Sequence, residues 1–223
     1  MIKIDQIIHT KRKSIAIIIQ RDGSITVRAP LRASDRAIRA FVEKNADWIR
    51  SKQALVKTTY PQATSKKYAK GEKFWYLGKQ YPLEIINKGK PSLQLLDERF
   101  YLDKMALPIA QSYFAHWYKI QAQRIIPQRV KVIAAVNGFI YHQVKITSAR
   151  TRWGSCSSKG SLCFSWRLIM APPAVIDYVV VHELVHLEEK NHGKAFWAKV
   201  NALMPDYKQK IAWLKKNGQR LNV

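Results

Sequence analysis

Residues 178–193 read Tyr-Val-Val-Val-His-Glu-Leu-Val-His-Leu-Glu-Glu-Lys-Asn-His-Gly. This stretch contains three of the six histidines of the 223-residue chain, His182, His186 and His192. On a helix, positions i and i+4 differ by about 40° in direction, so His182 and His186 point from one face toward a common ion. Glu183 is offset by one residue, which places its carboxylate beside that ion, where it can take a proton from a zinc-bound water.

A third ligand is needed, because a catalytic zinc site usually has three protein ligands and one open position. His192 is the candidate, six residues after His186 and between an asparagine and a glycine. Both of these residue types accept left-handed backbone angles, so the helix can end here and the chain can fold back toward the ion. The sequence therefore predicts a zinc site of three imidazoles, with Glu183 as the general base.

The composition is strongly basic, with 39 Lys and Arg against 15 Asp and Glu and a net charge of +24. Such a charge attracts nucleic acid, anionic lipid or acidic proteins. The alternative is a basic surface without a dedicated partner, because no block of five or six like charges occurs. The N-terminus lacks the apolar core of a signal peptide, and its longest apolar run, residues 15–19, is too short to span a bilayer. We therefore expect a cytoplasmic protein with no membrane association.

The N-terminal part of the chain is expected to be rich in β-structure. Residues 12–29 are typical of two strands joined around Asp22-Gly23, a strong hairpin signal. Ser34 and Asp35 then offer an N-cap for a helix that runs to about Val56. The apolar residues expected to share one face of that helix are Ile38, Phe41, Val42, Trp48, Ile49 and Leu55. Short strands are predicted at residues 73–77, 80–86, 92–96 and 99–102.

From Pro108 the apolar period changes to that of one long helix, which we expect to end near Arg129. Its predicted buried face is Ile109, Phe114, Trp117, Ile120, Ile125 and Ile126. We therefore expect a β-rich N-terminal lobe over residues 1–104 and a metal-binding catalytic lobe over residues 105–223.

Three further strands are predicted at residues 141–147, 152–157 and 162–165. Pro172-Pro173 can open the motif helix, because proline is tolerated in a first helical turn. Two more helices are expected at residues 194–203 and 206–216. Phe196, Trp197 and Trp213 are expected to pack against the motif helix.

Several short motifs together resemble a known family. They are Arg152-Trp153-Gly154-Ser155-Cys156, Trp166-Arg167-Leu168-Ile169, Pro172, the His-Glu-x-x-His stretch, Asn191-His192-Gly193 and Phe196-Trp197. The pattern resembles the YgjP-like metal-dependent hydrolases, which are similar to the SprT-like and WLM metallopeptidases of the zincin group. The resemblance implies an α+β fold, in which a zincin-like metalloprotease lobe follows the β-rich lobe, and a protein or peptide substrate. The SprT-like relatives act on proteins attached to DNA, so nucleic acid is a further partner that the basic charge would suit.

Arg152, Trp153 and Ser155 are the candidate substrate-binding residues, because zincins bind extended peptide along a sheet edge by strand addition. Arg152 either holds a substrate carbonyl or carboxylate, or pairs with an acid and fixes its loop. If Lys159-Gly160 forms a two-residue turn, Cys156 pairs with Cys163 across the hairpin. We interpret these two cysteines as reduced packing residues, in preference to a redox pair or zinc ligands.

Three functions remain open at this point. The leading hypothesis is a zinc-dependent metallopeptidase, in which Glu183 activates zinc-bound water for attack on a peptide bond. A second is a metal-dependent nucleotide or phosphate-ester hydrolase, although the chain has no Gly-rich phosphate cradle. A third is a nucleic-acid-binding protein with structural zinc, although structural sites usually have four ligands and many cysteines. We assign Tyr178, four residues before His182, to the core.

Overall fold

The computed structural model describes residues 2–20, 23–59, 66–90 and 92–223. The chain divides into two compact units, Met1–Thr64 and Ser65–Val223. This division differs from the lobe boundary expected between residues 104 and 105. The difference arises because Phe74 and Phe100, which lie between the two boundaries, pack against Phe114 of the following helix in one core. Their ring centroids are 4.0 and 5.2 Å from that of Phe114.

In its described residues, the first unit consists of one sheet and two helices. Its elements are β1 (Gln6–Thr10), β2 (Ala16–Ile19), β3 (Ile25–Pro30), α1 (Asp35–Lys44) and α2 (Ala46–Thr59). The central strand β3 is parallel to β1 and antiparallel to β2, which confirms the predicted hairpin. Within its turn, Asp22 lies outside the described residues. Gly23 has φ of +84°, in the left-handed region that glycine tolerates.

The single helix predicted to reach Val56 is broken at Asn45. Ser34 caps α1 as predicted, because its Oγ accepts a hydrogen bond from the backbone N–H of Ala37 at 3.3 Å. Asn45 ends α1, and its side-chain amide donates to the Phe41 carbonyl at 2.7 Å. A local bond of this kind satisfies a carbonyl that the helix leaves free at its end.

The buried face of α1 and α2 is narrower than predicted. The buried residues are Ile38, Val42 and Ile49. Phe41 and Trp48 are 37% and 47% exposed, so their predicted place on the buried face is wrong. At about 100° per residue, Ile38, Val42 and Ile49 still point within about 40° of one another, whereas Phe41 and Trp48 lie at the margin of that face. The side chain of Leu55 lies outside the described part of the chain.

The second unit begins with a four-stranded sheet. Its strands are β4 (Lys73–Tyr76), β5 (Lys79–Ile86), β6 (Leu93–Leu96) and β7 (Arg99–Asp103), which confirms the four predicted strands. The order is β4-β5-β7-β6, with β5 parallel to β7 and the other neighbours antiparallel. Phe74, Leu83, Phe100 and Leu102 are at most 1% exposed, so this sheet contributes one wall of the core.

The predicted long helix is α3 (Ala110–Asn137), which continues well past Arg129. It ends at Gly138, whose φ of +72° is a left-handed cap. Its buried residues recur every four positions, at Ala110, Phe114, Tyr118, Ala122, Ile126, Val130 and Ala134. Ile109 and Ile120 are 56% and 46% exposed, so the predicted buried face was partly wrong. Alanines on the buried row allow the helix to pack closely against its neighbours. Their burial cannot be predicted from the positions of the large apolar residues alone.

A second sheet leads into the motif helix. Its strands are β8 (Gln143–Thr147), β9 (Gly154–Cys156) and β10 (Ser161–Ser165). Their order is β8-β10-β9, so β9 lies at an edge of the sheet and runs antiparallel to β10. The helices that follow are α4 (Pro173–Val185), α5 (Lys194–Leu203) and α6 (Tyr207–Asn217). As predicted, proline occupies the first turn of α4.

An ion pair links helix α4 to helix α3. Arg129 of α3 forms a bidentate ion pair with Asp177 of α4, through its Nε and Nη2 atoms.

Short 3-10 helices at residues 104–109, 166–170 and 218–220 connect the main elements. The described residues thus form the predicted α+β fold, with six α-helices and three sheets. None of these helices combines the length and the apolar character that a bilayer crossing needs.

Candidate metal centre

The three histidines of the motif meet at one point of the second unit. His182 lies in the last turn of α4, and His186 is the residue at which that helix ends. The chain then turns back through residues 187–193 and brings in His192. The Nε2 atom of His192 lies 3.0 Å from Nε2 of His182 and 3.1 Å from Nε2 of His186.

This geometry fits a divalent metal ion. Zinc bonds to histidine nitrogen at about 2.0–2.1 Å, which places two nitrogens on tetrahedral corners about 3.3 Å apart. The separations of 3.0 and 3.1 Å are close to that value. The cluster holds three side chains that could bind a metal in the described part of the chain, which would leave a tetrahedral ion one corner for solvent or substrate.

The rings are held with Nε2 toward this common point. Nδ1 of His186 lies 2.9 Å from the carbonyl oxygen of Glu189, and Nδ1 of His182 lies 3.5 Å from the Tyr178 hydroxyl. A ring that donates its Nδ1–H to a protein group has its Nε2 lone pair free for a metal. The sequence assigned Tyr178 to the core, and it is indeed 6% exposed, but its hydroxyl group faces His182.

Aromatic side chains of α5 surround the imidazoles. Phe196 is fully buried, with its ring centroid 4.9, 4.6 and 4.7 Å from those of His182, His186 and His192. Trp197 stacks on His192 with ring centroids 5.9 Å apart. The predicted packing of both residues against the motif helix is confirmed, and it limits the directions in which the rings can turn.

The cluster favours neutral imidazoles, which are the form that binds a metal. Burial, together with the neighbouring His186 and His192, lowers the pKa of His182 to about 4. Burial and His186 also lower the pKa of His192. At neutral pH these two rings are therefore uncharged and ready to donate a lone pair.

Glu183 lies on the buried side of α4, beneath strand β9. It is 5% exposed, and burial raises its pKa to about 8, while the positive charge of Arg152 acts in the opposite direction. A Cβ atom added at Gly154 would lie 2.5 Å from Glu183 Oε1 and 2.6 Å from its Cγ. Only a glycine fits at this position without a shift, because the β9 backbone lies directly against the carboxylate.

The sequence model of the YgjP-like metallopeptidase domain matches residues 13–217. The chain belongs to the YgjP-like metallopeptidase family. The resemblance seen in the short motifs is thereby confirmed, and the chain is a metallopeptidase-like hydrolase. Membership of this family implies a metal ion and peptide substrates.

Two solved structures are similar to parts of this YgjP-like chain. The zymogen of the metallopeptidase abylysin from Pyrococcus abyssi is 20% identical with a TM-score of 0.40, and the match covers 44% of this chain and 100% of that chain. The zymogen of the metallopeptidase jannalysin from Methanocaldococcus jannaschii is 20% identical with a TM-score of 0.34, with 40% and 94% covered. No curated protein matches the chain.

The hairpin of the YgjP-like domain has a different register from the predicted one. Cys156 pairs with Leu162, and Cys163 pairs with Ser155. The predicted pairing of Cys156 with Cys163 is therefore wrong, because the turn has three residues instead of two and shifts the strands by one position. Neighbouring pairs of a ladder face opposite sides of a sheet, so the two thiols point apart. Both cysteines are free, as predicted.

The three candidate substrate-binding residues occupy different environments. Arg152 is exposed and forms no ion pair with a carboxylate of the described residues, while its charge acts on Glu183. Trp153 is half-buried, and its ring lies so close to Gly218 that an added Cβ there would be 2.8 Å away. Ser155 lies in the edge strand β9. Of the three, the structure brings Arg152 to the surface beside Glu183, whereas Trp153 packs inside the domain.

Two groups that orient the imidazoles were missed by the sequence reasoning. The four-residue spacing of Tyr178 and His182 places both on one helical face, which is a usable signal for a contact. The Glu189 carbonyl has no sequence signal, because every residue carries one. Its bond to His186 depends on how the chain turns after α4.

Proposed function

We propose that this chain is a zinc-dependent metallopeptidase that binds zinc through His182, His186 and His192 and uses Glu183 as its general base. Family membership supports the peptidase class. The observation that carries the specific assignment is the convergence of three Nε2 atoms beside a buried carboxylate. A zinc ion held there would act as a Lewis acid toward the scissile carbonyl and would make water more acidic.

The protein groups would then divide the proton transfers and the substrate binding between them. Glu183 would accept a proton from the attacking water and pass it to the leaving nitrogen of the cleaved peptide bond. The raised pKa of Glu183, about 8, suits a group that must both take and return a proton near neutral pH. A metal cation close by would favour the ionised form that starts the cycle.

The edge position of β9 supports a binding mode for the substrate. An extended peptide can add to the unpaired side of this strand through main-chain hydrogen bonds. Because Gly154 of the same strand lies against Glu183, a paired peptide would run past the carboxylate. Arg152, exposed and without an ion-pair partner among the described residues, would then contact a substrate carbonyl or carboxylate.

The two other functions receive less support. A structural zinc site would usually have four protein ligands, whereas the cluster in the described residues has three histidines. A phosphate-ester hydrolase is disfavoured because the chain belongs to a metallopeptidase family.

The test combines metal analysis with cleavage of a denatured protein. The wild type is expected to bind one zinc ion and to cleave, His192→Ala to lose zinc, and Glu183→Gln to keep zinc but lose cleavage. His116→Ala, an exposed histidine on α3 outside the cluster, is the matched control and should behave as the wild type. A Glu183→Gln protein that retains zinc and full activity would refute the base assignment.

A further inference from the structure

A pocket of about 410 Å³ lies between helices α5 and α6 of the second unit. Its lining is mainly apolar, with two lysines, and consists of Trp197, Tyr207, Lys208, Ile211, Ala212 and Lys215. Pockets that bind ligands commonly have volumes of about 300–1,000 Å³ and a mostly apolar lining with a few polar groups. This pocket therefore has the size and the chemistry to take up a large apolar side chain.

The pocket shares a wall with the histidine cluster. The Trp197 indole stacks on the imidazole of His192, with ring centroids 5.9 Å apart and an interplanar angle of 27°. The same indole stacks on Tyr207, with centroids 5.4 Å apart and an angle of 21°. The pocket is thus separated from the third histidine by one aromatic ring.

The 5.9 Å between the ring centroids of His192 and Trp197 is close to the length of two residues in an extended peptide. An extended chain advances by about 3.3 Å per residue, so the residues within two positions of a bond held at the histidines pass the Trp197 ring. A side chain from one of them can therefore enter the pocket while the bond itself stays beside Glu183.

The lysines at the pocket give it a charge preference. Lys208 and Lys215 are exposed, and neither forms an ion pair with a carboxylate in the described part of the chain. Lys210 on the same helix, by contrast, pairs with Asp206. Two lysines without acidic partners favour a ligand that carries a negative charge next to its apolar group.

We propose that this pocket is a specificity subsite that takes a large apolar or aromatic side chain of the substrate, and that Lys208 and Lys215 favour an acidic residue beside it. The proposal rests on the proposed peptidase function, because it assumes that a peptide bond is held at the histidine cluster. It names the substrate class as unfolded peptide segments in which a bulky apolar residue adjoins Asp or Glu.

The test is a cleavage profile of the zinc-loaded protein on a mixture of peptides of known sequence, with the cut sites determined by mass spectrometry. We expect sites with Phe, Leu or Trp next to an acidic residue to be preferred by about tenfold or more. Ala212→Trp places an indole in the pocket from an exposed helix position, so the preference for large side chains should disappear while small ones are still accepted.

Two single charge reversals test the lysines. Lys215→Glu should weaken or invert the preference for acidic residues. Lys216→Glu is the matched control, because this neighbouring lysine is also exposed on α6 but does not line the pocket. Its profile should equal that of the wild type. Thermal unfolding of each variant shows whether it is folded.

A binding measurement separates failure of the subsite from failure of the proposed function. Calorimetry on Glu183→Gln compares two peptides that differ only in Phe or Ala at one position, with and without Ala212→Trp. Cleavage profiles that are the same in the wild type, Ala212→Trp and Lys215→Glu would overturn the subsite and leave the peptidase assignment intact. If no zinc-loaded protein cleaves any peptide, the proposed function fails. The subsite is then supported only if the Phe peptide binds more tightly than the Ala peptide and loses that advantage in Ala212→Trp. Equal binding of the two peptides overturns it.

Discussion

The backbone of Gly154 in strand β9 lies against the carboxylate of Glu183 in helix α4, close enough that an added methyl group would be 2.5 Å from the Oε1 atom. The positions of strand β9 and of Glu183, the residue proposed as the base, therefore depend on each other. Any side chain at residue 154 must move the carboxylate, the strand or both.

Gly154→Ala is expected to lower kcat/KM by about 100-fold, because a displacement of roughly 1 Å in a catalytic group can have an effect of that size. Zinc content should not change, since the three histidines lie elsewhere on the helix and the following turn. Steady-state kinetics and metal analysis of the purified variant measure both quantities.

Gly193→Ala is the matched control for this substitution. Its added Cβ would meet no atom within 4 Å, and its backbone angles are in the extended region, so activity near that of the wild type is expected. Equal activity of the two alanine variants would contradict the role given to Gly154.

Tyr178→Phe is expected to weaken zinc binding by about 10- to 100-fold, because groups that orient a ligating histidine contribute on that scale. The phenol oxygen lies 3.5 Å from Nδ1 of His182, and its removal leaves that ring nitrogen without a protein partner. Competition with a chromogenic chelator measures the affinity.

Tyr118→Phe serves as the comparison for Tyr178→Phe. It removes the buried hydrogen bond from the Tyr118 hydroxyl to the Trp75 carbonyl, of 2.5 Å, without touching the cluster. It should reduce stability and leave zinc affinity as in the wild type. A Tyr178→Phe protein with unchanged zinc affinity would show that the hydroxyl does not position His182.

Removal of zinc with a chelator is expected to leave the secondary structure in place, because α4 is anchored by its buried apolar residues. The apo protein should be less stable by about 2.7 kcal/mol than protein with free zinc at 100 times its Kd, as mass action requires. Calorimetric unfolding with and without zinc measures the difference. In His192→Ala the difference should shrink, and a shift as large as that of the wild type would count against His192 as a ligand.

The ion pair of Arg129 and Asp177 is expected to hold α3 against α4. A double-mutant cycle with Arg129→Met and Asp177→Leu should give a coupling energy of about 0.5–3 kcal/mol, typical of residues in direct contact. The hydrogen bond to Asp177 raises the pKa of Arg129, so the guanidinium stays charged throughout the accessible range of pH. Denaturant unfolding of the four proteins gives the value, and strict additivity of the two single substitutions would show that the pair contributes nothing.

The net charge of +24 is expected to cause binding to duplex DNA without sequence preference. The affinity should fall by at least about tenfold between 50 and 200 mM salt, because counterions released from the phosphates drive such binding. Fluorescence anisotropy with two DNA duplexes of unrelated sequence tests this. No binding at low salt would mean that the basic surface has no polyanionic partner of this kind.

The convergence of the three histidines was predicted from the sequence because part of its geometry follows from helical spacing. The four-residue spacing of His182 and His186 fixes a shared face. His192 returns to it without the predicted left-handed backbone angles, because α4 already ends at Val185 and neither Asn191 nor Gly193 has a positive φ. The packing of Phe196 followed from the same periodicity. The orientation of the rings could not be predicted in full, since it depends on the Glu189 carbonyl and on the direction of one hydroxyl group.

The errors in the predicted fold have two physical origins. The buried row of α3 includes several alanines, whose burial depends on how closely the neighbouring elements approach, so apolar size is a poor guide to it. The break at Asn45 and the three-residue turn before Ser161 depend on local hydrogen bonds that compete with regular structure. A shift of one position in a hairpin then reverses which face each side chain occupies.

Strand β9 has three residues, and one of its sides is already paired to β10. A protein that docks on the remaining side must offer a stretch whose own amides and carbonyls are not engaged elsewhere. Compact native domains hide such stretches, whereas damaged, nascent or unfolded polypeptides display them. If substrates pair with β9 as proposed, this edge would distinguish unfolded from folded proteins through main-chain hydrogen bonds alone, before any side chain is recognised.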